Sequence, residues 1–236
     1  SRFSDDGHCF AARRALIDEA ARLLDVPPDA CEAQLEILIE IEDAIAEILD
    51  EEYEADVAVY LPPFYYAEVG VANKLRQLRD SDRDRLTAYE TLDWSVAFDW
   101  LDERNPFKLV DSQREAVRMA LTERVSVLTG GPGTGKTTIT KAIIQLLQAK
   151  GHSVLLAAPT GRAAKRLSEL TGLPAKTIHR LLEFSPGEGS MFLRDRENPL
   201  DADLIIVDEA SMIDILLMNH LVKAIEAGSH LLLVGD

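Results

Sequence analysis

The residues best placed to do chemistry are eight in a row, Gly130-Gly131-Pro132-Gly133-Thr134-Gly135-Lys136-Thr137, set between the apolar run Val125-Ser126-Val127-Leu128-Thr129 and a helical stretch from Thr138 to Lys150. A Gly, four residues, then Gly-Lys-Thr is the spacing of a loop that cradles a polyphosphate. Glycines let backbone N–H groups converge on phosphate oxygens, and the helix N-terminus behind them adds partial positive charge. Lys136 is then expected to reach the β- and γ-phosphates, and the Thr137 hydroxyl, beside Thr138, to bind Mg²⁺. A plain Gly/Pro turn between strand and helix would account for the glycines but not for the Lys-Thr pair.

Further along, Leu204-Ile205-Ile206-Val207 is an apolar run that ends in Asp208-Glu209. After a phosphate loop, an Asp at this point commonly holds Mg²⁺, and a neighbouring Glu orients or deprotonates the attacking water. Val154-Leu155-Leu156-Ala157-Ala158 is another continuous apolar run, followed by the basic segment Pro159-Thr160-Gly161-Arg162-Ala163-Ala164-Lys165-Arg166. Open α/β sheets place ligands at strand carboxyl ends, so this segment suits a nucleic-acid phosphate backbone. The competing reading is a helix start with solvated Arg and Lys. A last run, Leu231 to Val234, reaches Gly235-Asp236.

These pieces need elements to hold them. Continuous apolar runs separated by helical stretches predict parallel strands buried on both faces, an α/β fold. Ile139, Ile143, Leu146 and Leu147 form the inward face of the helix behind the loop, which closes at Gly151. Asp111 to Glu123 is expected to be an amphipathic helix with Gln113 and Arg114 in its first turn. An amide at Gln113 suits the N6/N7 edge of adenine, although a surface Gln alone is weak evidence. Two short apolar pieces within Glu183–Leu193, around Pro-Gly and Gly-Ser, predict a hairpin.

The first 106 residues differ in composition. They carry 10 Lys and Arg against 26 Asp and Glu, whereas residues 107–236 carry 15 against 15, so the whole net charge of −16 lies in the first part. We therefore expect a domain boundary near Asn105-Pro106. Within residues 1–106, Ala11 to Leu24 predicts a helix closed by Pro27-Pro28, with Asp29 capping a second helix through Ile39. Ile41 to Leu49 fits either a helix extension or one strand of a wing paired with Val57–Leu61, and further helices are expected from about Phe64 to Leu78 and from Asp82 to Leu101. The result is a mostly helical, winged-helix-like module, a shape often used on DNA. Its acidity disfavours simple duplex binding and favours a packing or protein-docking role.

Hydrophobic content of 47% and charge of 28% fit a globular protein. No stretch approaches a membrane span and the N-terminus, SRFSDDGHCF, has no secretory core, so a cytoplasmic protein is expected. Cys9 and Cys31 are far apart, without metal-ligand spacing.

In this order the motifs resemble superfamily 1 helicases, specifically the RecD/TraA-like branch of 5′ to 3′ DNA helicases. The likeness is carried by DSQREAV at 111–117, TGGPGTGKTT at 129–138, APTGRAAKRL at 158–167, TIHRLLE at 177–183, IIVDEASMID at 205–214 and LVGD at 233–236. A looser likeness to the module preceding the motor rests on DGHCF and VYLPPFYYAE. The resemblance implies a RecA-like motor domain over 107–236 that hydrolyses ATP with Mg²⁺ and moves on single-stranded DNA at forks, in repair or recombination.

By position it implies that Gln113 recognises adenine, that Gly130 through Thr138 hold phosphates, and that Asp208 completes the metal site with Glu209 as base. Thr160 and Arg162 match one DNA-touching segment, and Thr177, His179 and Arg180 a second. His179 fits a packed core histidine equally well. Gly235 and Asp236 begin the segment coupling the γ-phosphate to DNA. The hairpin at 183–195 becomes a strand-separating pin with Phe184, Met191 and Phe192 as contacts, or else a surface hairpin whose aromatics pack on the sheet.

The resemblance further implies a second motor domain and a γ-phosphate arginine that this sequence does not contain, so the chain is expected to be a motor half that binds Mg²⁺-ATP weakly and does not translocate. Two rival readings are a P-loop kinase of a small acceptor, which APTGRAAKRL disfavours, and a non-catalytic interaction module stabilised by nucleotide.

Overall fold

The computed structural model describes residues 7–49, 57–106, 108–187 and 191–236. Contacts divide the chain into two compact units, one running to Ala72 and taking in Asp214–Asn219, the other holding Asn73–Ile213 and His220–Asp236.

In the first unit, strand β1 (Phe10–Ala12) leads into helix α1 (Arg13–Leu24), helix α2 (Pro28–Glu40) and the strands β2 (Ile45–Ile48) and β3 (Val57–Tyr60). The strands form one antiparallel sheet in the order β1-β3-β2, with Val59 opposite Ala11 on one side and Ala46 on the other. Ile17, Leu35, Ala44 and Val59 make its core. Arg13 bridges α1 to α2 through Glu32 and Glu36.

The sequence expectations need two corrections in this part of the chain, and one open alternative is resolved. Residues 10–12 pair with β3 before the helix begins at Arg13, so the predicted helix start at Ala11 is two residues early. Asp29 is not the cap of α2; Pro28 opens that helix and Asp29 sits in its first turn, where a ring with fixed φ and no N–H is well suited. Of the two readings of Ile41–Leu49, the strand is the one found, over Ile45–Ile48, while Ile41 caps the end of α2.

The second unit is built on a five-stranded, wholly parallel sheet in the order β4-β10-β9-β5-β6, from β4 (Val125–Thr129), β5 (Val154–Ala158), β6 (Ala175–Thr177), β9 (Leu204–Val207) and β10 (His230–Gly235). Leu204, Ile206, Leu232 and Val234 enter a core shared with α4 (Trp94–Asp102), α5 (Asp111–Thr122) and α6 (Lys136–Ala149). Ile205, Val207 and Leu231, on alternate positions, are equally buried, so the central strands are covered on both faces, as their unbroken apolar runs require. Helix α7 (Gly161–Thr171) follows β5, and α8 (Ile178–Leu181) follows β6.

The predicted helix over Asp82–Leu101 does not form as one piece. Asp84 accepts from the Leu86 N–H at 2.7 Å and Asp93 accepts from the Ser95 and Val96 N–H groups at 3.0 and 3.3 Å. Short acidic side chains thus compete with helix for the same backbone donors and leave a 3₁₀ turn at Thr87–Tyr89 before α4.

The packing also divides the chain well before the change in composition at 106. Leu86, Tyr89, Phe98 and Leu101 belong to the core behind the parallel sheet, and the Tyr89 hydroxyl donates to the Leu146 carbonyl at 2.9 Å. Asp84 is bonded to the fully buried His230 at 2.9 Å. Helix α3 (Pro62–Arg79) spans the division. No described helix is long and apolar enough to cross a membrane.

Both tryptophans, Trp94 and Trp100, lie in α4 and report on the second unit. Leu101 is 1% exposed and Leu23 is 61% exposed. Leu101→Ala should cost roughly 2–4 kcal/mol in urea unfolding followed by tryptophan fluorescence, and Leu23→Ala no more than about 0.5 kcal/mol. Equal, small effects would remove α4 from that core.

Candidate nucleotide site

Because the strands are parallel, the segments after β4, β5, β9 and β10 all leave the sheet at one edge. Strand β10 lies between β4 and β9 in register, Gly235 beside Thr129 and Leu233 beside Val207. The Gly130–Thr137 loop and the Asp208-Glu209 pair therefore flank the end of β10. A cavity of about 380 Å³ results, lined by Gly131 through Thr137, Asp208, Glu209, Gly235 and Asp236, together with Arg166 and Leu170 of α7.

Contacts within the second unit shape the loop. Gly135 opens α6 at φ 91°, in the left-handed region, and a Cβ there would lie 2.4 Å from the Gln113 amide nitrogen. Only glycine meets both constraints. The Gln113 side chain accepts from the Val110 N–H at 3.2 Å and donates to the Thr134 carbonyl at 3.1 Å, tying the start of α5 to the loop. Thr134 in turn donates from its hydroxyl to the Gly131 carbonyl at 2.9 Å. Lys136 donates from Nζ to the Gly130 carbonyl and to the Asp236 carboxylate.

At the end of β9 the Asp208 N–H still donates to the Ala157 carbonyl at 2.9 Å, whereas Glu209 turns to φ 53° and opens a 3₁₀ turn, Ala210–Met212. A left-handed non-glycine residue costs about 1–3 kcal/mol, and this one sits in the cavity. Gly235 lets the turn approach: a Cβ there would lie 3.2 Å from the Ser211 nitrogen.

Among the described residues no group of three or more His, Cys, Asp or Glu could hold a metal ion. Thr137 and Asp208, both in the cavity lining, offer a hydroxyl and a carboxylate of the kind that Mg²⁺ takes while keeping several water or phosphate ligands.

The residues matched to DNA lie on the helices after β5 and β6. Thr160 caps α7, its hydroxyl accepting from the Ala163 N–H at 3.2 Å, and Arg162 follows it, exposed, in the first turn. Thr177 caps α8 in the same way, accepting from the Arg180 N–H at 3.3 Å. His179 and Arg180 are exposed. Neither the core reading nor a buried position applies to His179; its ring stands 5.6 Å from Phe184 and 5.7 Å from Phe192.

Strands β7 (Phe184–Ser185) and β8 (Met191–Phe192) pair as a hairpin whose base is closed by Arg194 on Glu183 at 2.8 Å. The part of the hairpin at residues 188–190 lies outside the described residues. Phe184 and Phe192 pack on each other at 5.0 Å, Phe192 also on His220 at 4.5 Å, and Met191 is 57% exposed.

Of the residues singled out for the nucleotide, Gly130 and Gln113 do not line the cavity, although Gln113 reaches the loop through Thr134, and Thr138 lines a separate cavity of about 170 Å³ with Leu109, Asn105 and Lys141. Arg166 and Leu170 were missed. The signal was their i, i+4 spacing on α7, one turn and two turns beyond Arg162.

A family model described as an AAA domain matches residues 113–236. The chain is 35% identical over 237 residues to the ATP-dependent RecD2 DNA helicase of Deinococcus radiodurans, covering 98% of this chain and 32% of that protein. It is 42% identical over 149 residues to the RecBCD enzyme subunit RecD of Mycobacterium tuberculosis, covering 53% of this chain and 26% of that one. The chain thus spans about a third or less of these curated relatives. A Pif1 helicase from Bacteroides, solved with ADP-AlF3 and ssDNA, is similar at 26% identity and a TM-score of 0.39, covering 55% of this chain and 32% of the other.

Gly135→Ala should weaken binding of a fluorescent ATP analogue by about tenfold or more while the circular dichroism stays that of the parent, since the methyl group must displace Gln113 and strain the backbone. Unchanged affinity would mean that the loop binds nucleotide in some other conformation.

Proposed function

This chain belongs to the AAA-domain family, and we propose that its second unit is the nucleotide-hydrolysing half of an ATP-dependent DNA helicase motor. The observation that carries the reading is the convergence of Lys136, Thr137, Asp208, Glu209 and Asp236 on one cavity at the carboxyl edge of a parallel sheet, with the basic start of α7 leaving the same edge. The likeness to the RecD2 and RecD proteins over most or half of the chain supports it.

In this reading the loop amides and Lys136 hold the triphosphate, and Gln113 approaches the base. Mg²⁺, when bound, would neutralise charge on the β- and γ-oxygens, with Thr137 and Asp208 as its protein ligands. Glu209 takes a proton from a water in line with the γ-phosphorus; the water oxygen bonds to phosphorus as the bond to the β–γ bridging oxygen breaks, leaving ADP and phosphate. Lys136 starts on Asp236, so an arriving triphosphate replaces that carboxylate as its partner. The movement of Asp236 and Gly235 is then the route by which the state of the γ-phosphate reaches the rest of the unit.

DNA is assigned to the two capped helix starts, Thr160 with Arg162 and Thr177 with His179 and Arg180, and to the Phe184/Met191/Phe192 hairpin beside them. Single-stranded and fork DNA, 5′ to 3′ movement, a part in repair or recombination and a cytoplasmic setting complete the proposal. The acidic, winged-helix-like first unit is assigned to a protein partner. Stepping would require a second motor domain closing on the same nucleotide.

ATP hydrolysis should be measured with and without single-stranded DNA, with Lys136→Ala as the blank. Glu209→Gln should lose about 10² to 10⁴ of the turnover while binding nucleotide within roughly threefold of the parent. Turnover no greater than the Lys136→Ala blank, with or without DNA, would sink the assignment of catalysis to this chain.

A further inference from the structure

Arg166 lines the same cavity as Lys136, Asp208, Glu209 and Asp236, whereas the sequence places it only within a basic segment suited to nucleic acid. Among the described residues its guanidinium has neither a hydrogen bond nor an ion pair, although the adjacent Lys165 pairs with Glu169 at 3.8 Å. We propose that Arg166 is a phosphate-binding residue for the γ end of ATP, supplied by the unit's own α7. The proposal rests on the ATPase reading and adds to it the residue that distinguishes triphosphate from diphosphate.

The position along the nucleotide follows from the company Arg166 keeps. Asp208 and Glu209, the groups assigned to the γ-phosphate, line the cavity with it, whereas Gln113, assigned to the base, does not. The loop from Gly131 to Thr137 lines the same cavity, so it is the comparison of ATP with ADP that tells the γ end from the other phosphates.

Charge points the same way. Without Arg166 the cavity would set one cation, Lys136, against three carboxylates, Asp208, Glu209 and Asp236. Mg²⁺ bound with the nucleotide would offset part of that negative charge, and a second side-chain cation offsets more of it. Arg166 is the residue in the lining that does so, and its planar fork matches two phosphate oxygens at once.

Arg166 also lies one helical turn beyond Arg162, on the same stripe of α7. The helix thus carries an arginine proposed for DNA and an arginine proposed for the γ-phosphate on one rigid rod. A strand pulling on Arg162 would shift Arg166 with it, which gives DNA a short mechanical path to the reacting phosphate.

The test is equilibrium binding of fluorescent ATP and ADP analogues, with Mg²⁺, to the parent chain, Arg166→Ala, Arg166→Lys and Lys136→Ala. Arg166→Ala should weaken the triphosphate by about tenfold or more and the diphosphate by less than about threefold, because the lost hydrogen bonds are to a charged group present only in ATP. Arg166→Lys should recover part of the preference for ATP, which a misfolded variant would not. Equal losses for both nucleotides, or no loss, would overturn the proposal. Failure of the nucleotide reading shows separately, as a parent chain that binds no better than Lys136→Ala, and the role of Arg166 would fall with it.

Discussion

The parallel register of β4, β10, β9 and β5 is the constraint on which the candidate site depends. Lys136, Asp236 and Glu209 are far apart in sequence, and nothing local brings them together. What does is backbone pairing that sets Gly235 beside Thr129 and Val207 beside both Leu233 and Ala157, so that four chain segments leave the sheet at one level. A slip of one residue in any pair would move the end of one strand relative to its neighbours by one residue, so the register itself fixes where the catalytic candidates emerge.

Around that sheet the glycines and strained positions have particular jobs. Gly135 yields its side chain to Gln113, Gly235 yields its own to the turn at Ser211, and Glu209 takes a left-handed backbone that a glycine would take more easily. The last is the informative one. Strain held by a charged residue in the lining of the candidate cavity fits the role proposed for its carboxylate.

Much of this was legible in the sequence because parallel strands buried on both faces write themselves as continuous apolar runs. Val154–Ala158, Leu204–Val207 and Leu231–Val234 all became strands, and the loop and the Asp208-Glu209 pair sit at their ends. The failures share a cause as well. At Asp84 and Asp93, aspartates that score as solvated helix surface instead bind backbone N–H groups and break the helix, a competition that periodicity does not register. Strand β1 is three residues long, too short for any alternation to show. The change in composition at 106 tracks the acidity of exposed surface, whereas the division of the core follows Leu86, Tyr89 and Leu101, which charge counting ignores. Arg166 was overlooked because helical spacing marks which residues share a face but not what that face meets.

The pairing of Lys136 with Asp236 has a bearing on selectivity. Lys136 is paired with the Asp236 carboxylate, so an anion reaching the lysine must exchange with a carboxylate. A stray monovalent anion would have to break a charge-assisted bond to gain one of similar strength, and it has no net reason to do so. A triphosphate brings several oxygens to several loop amides at once and can exchange one bond for many. On the proposed reading, the site would discriminate by the number of contacts offered rather than by charge alone.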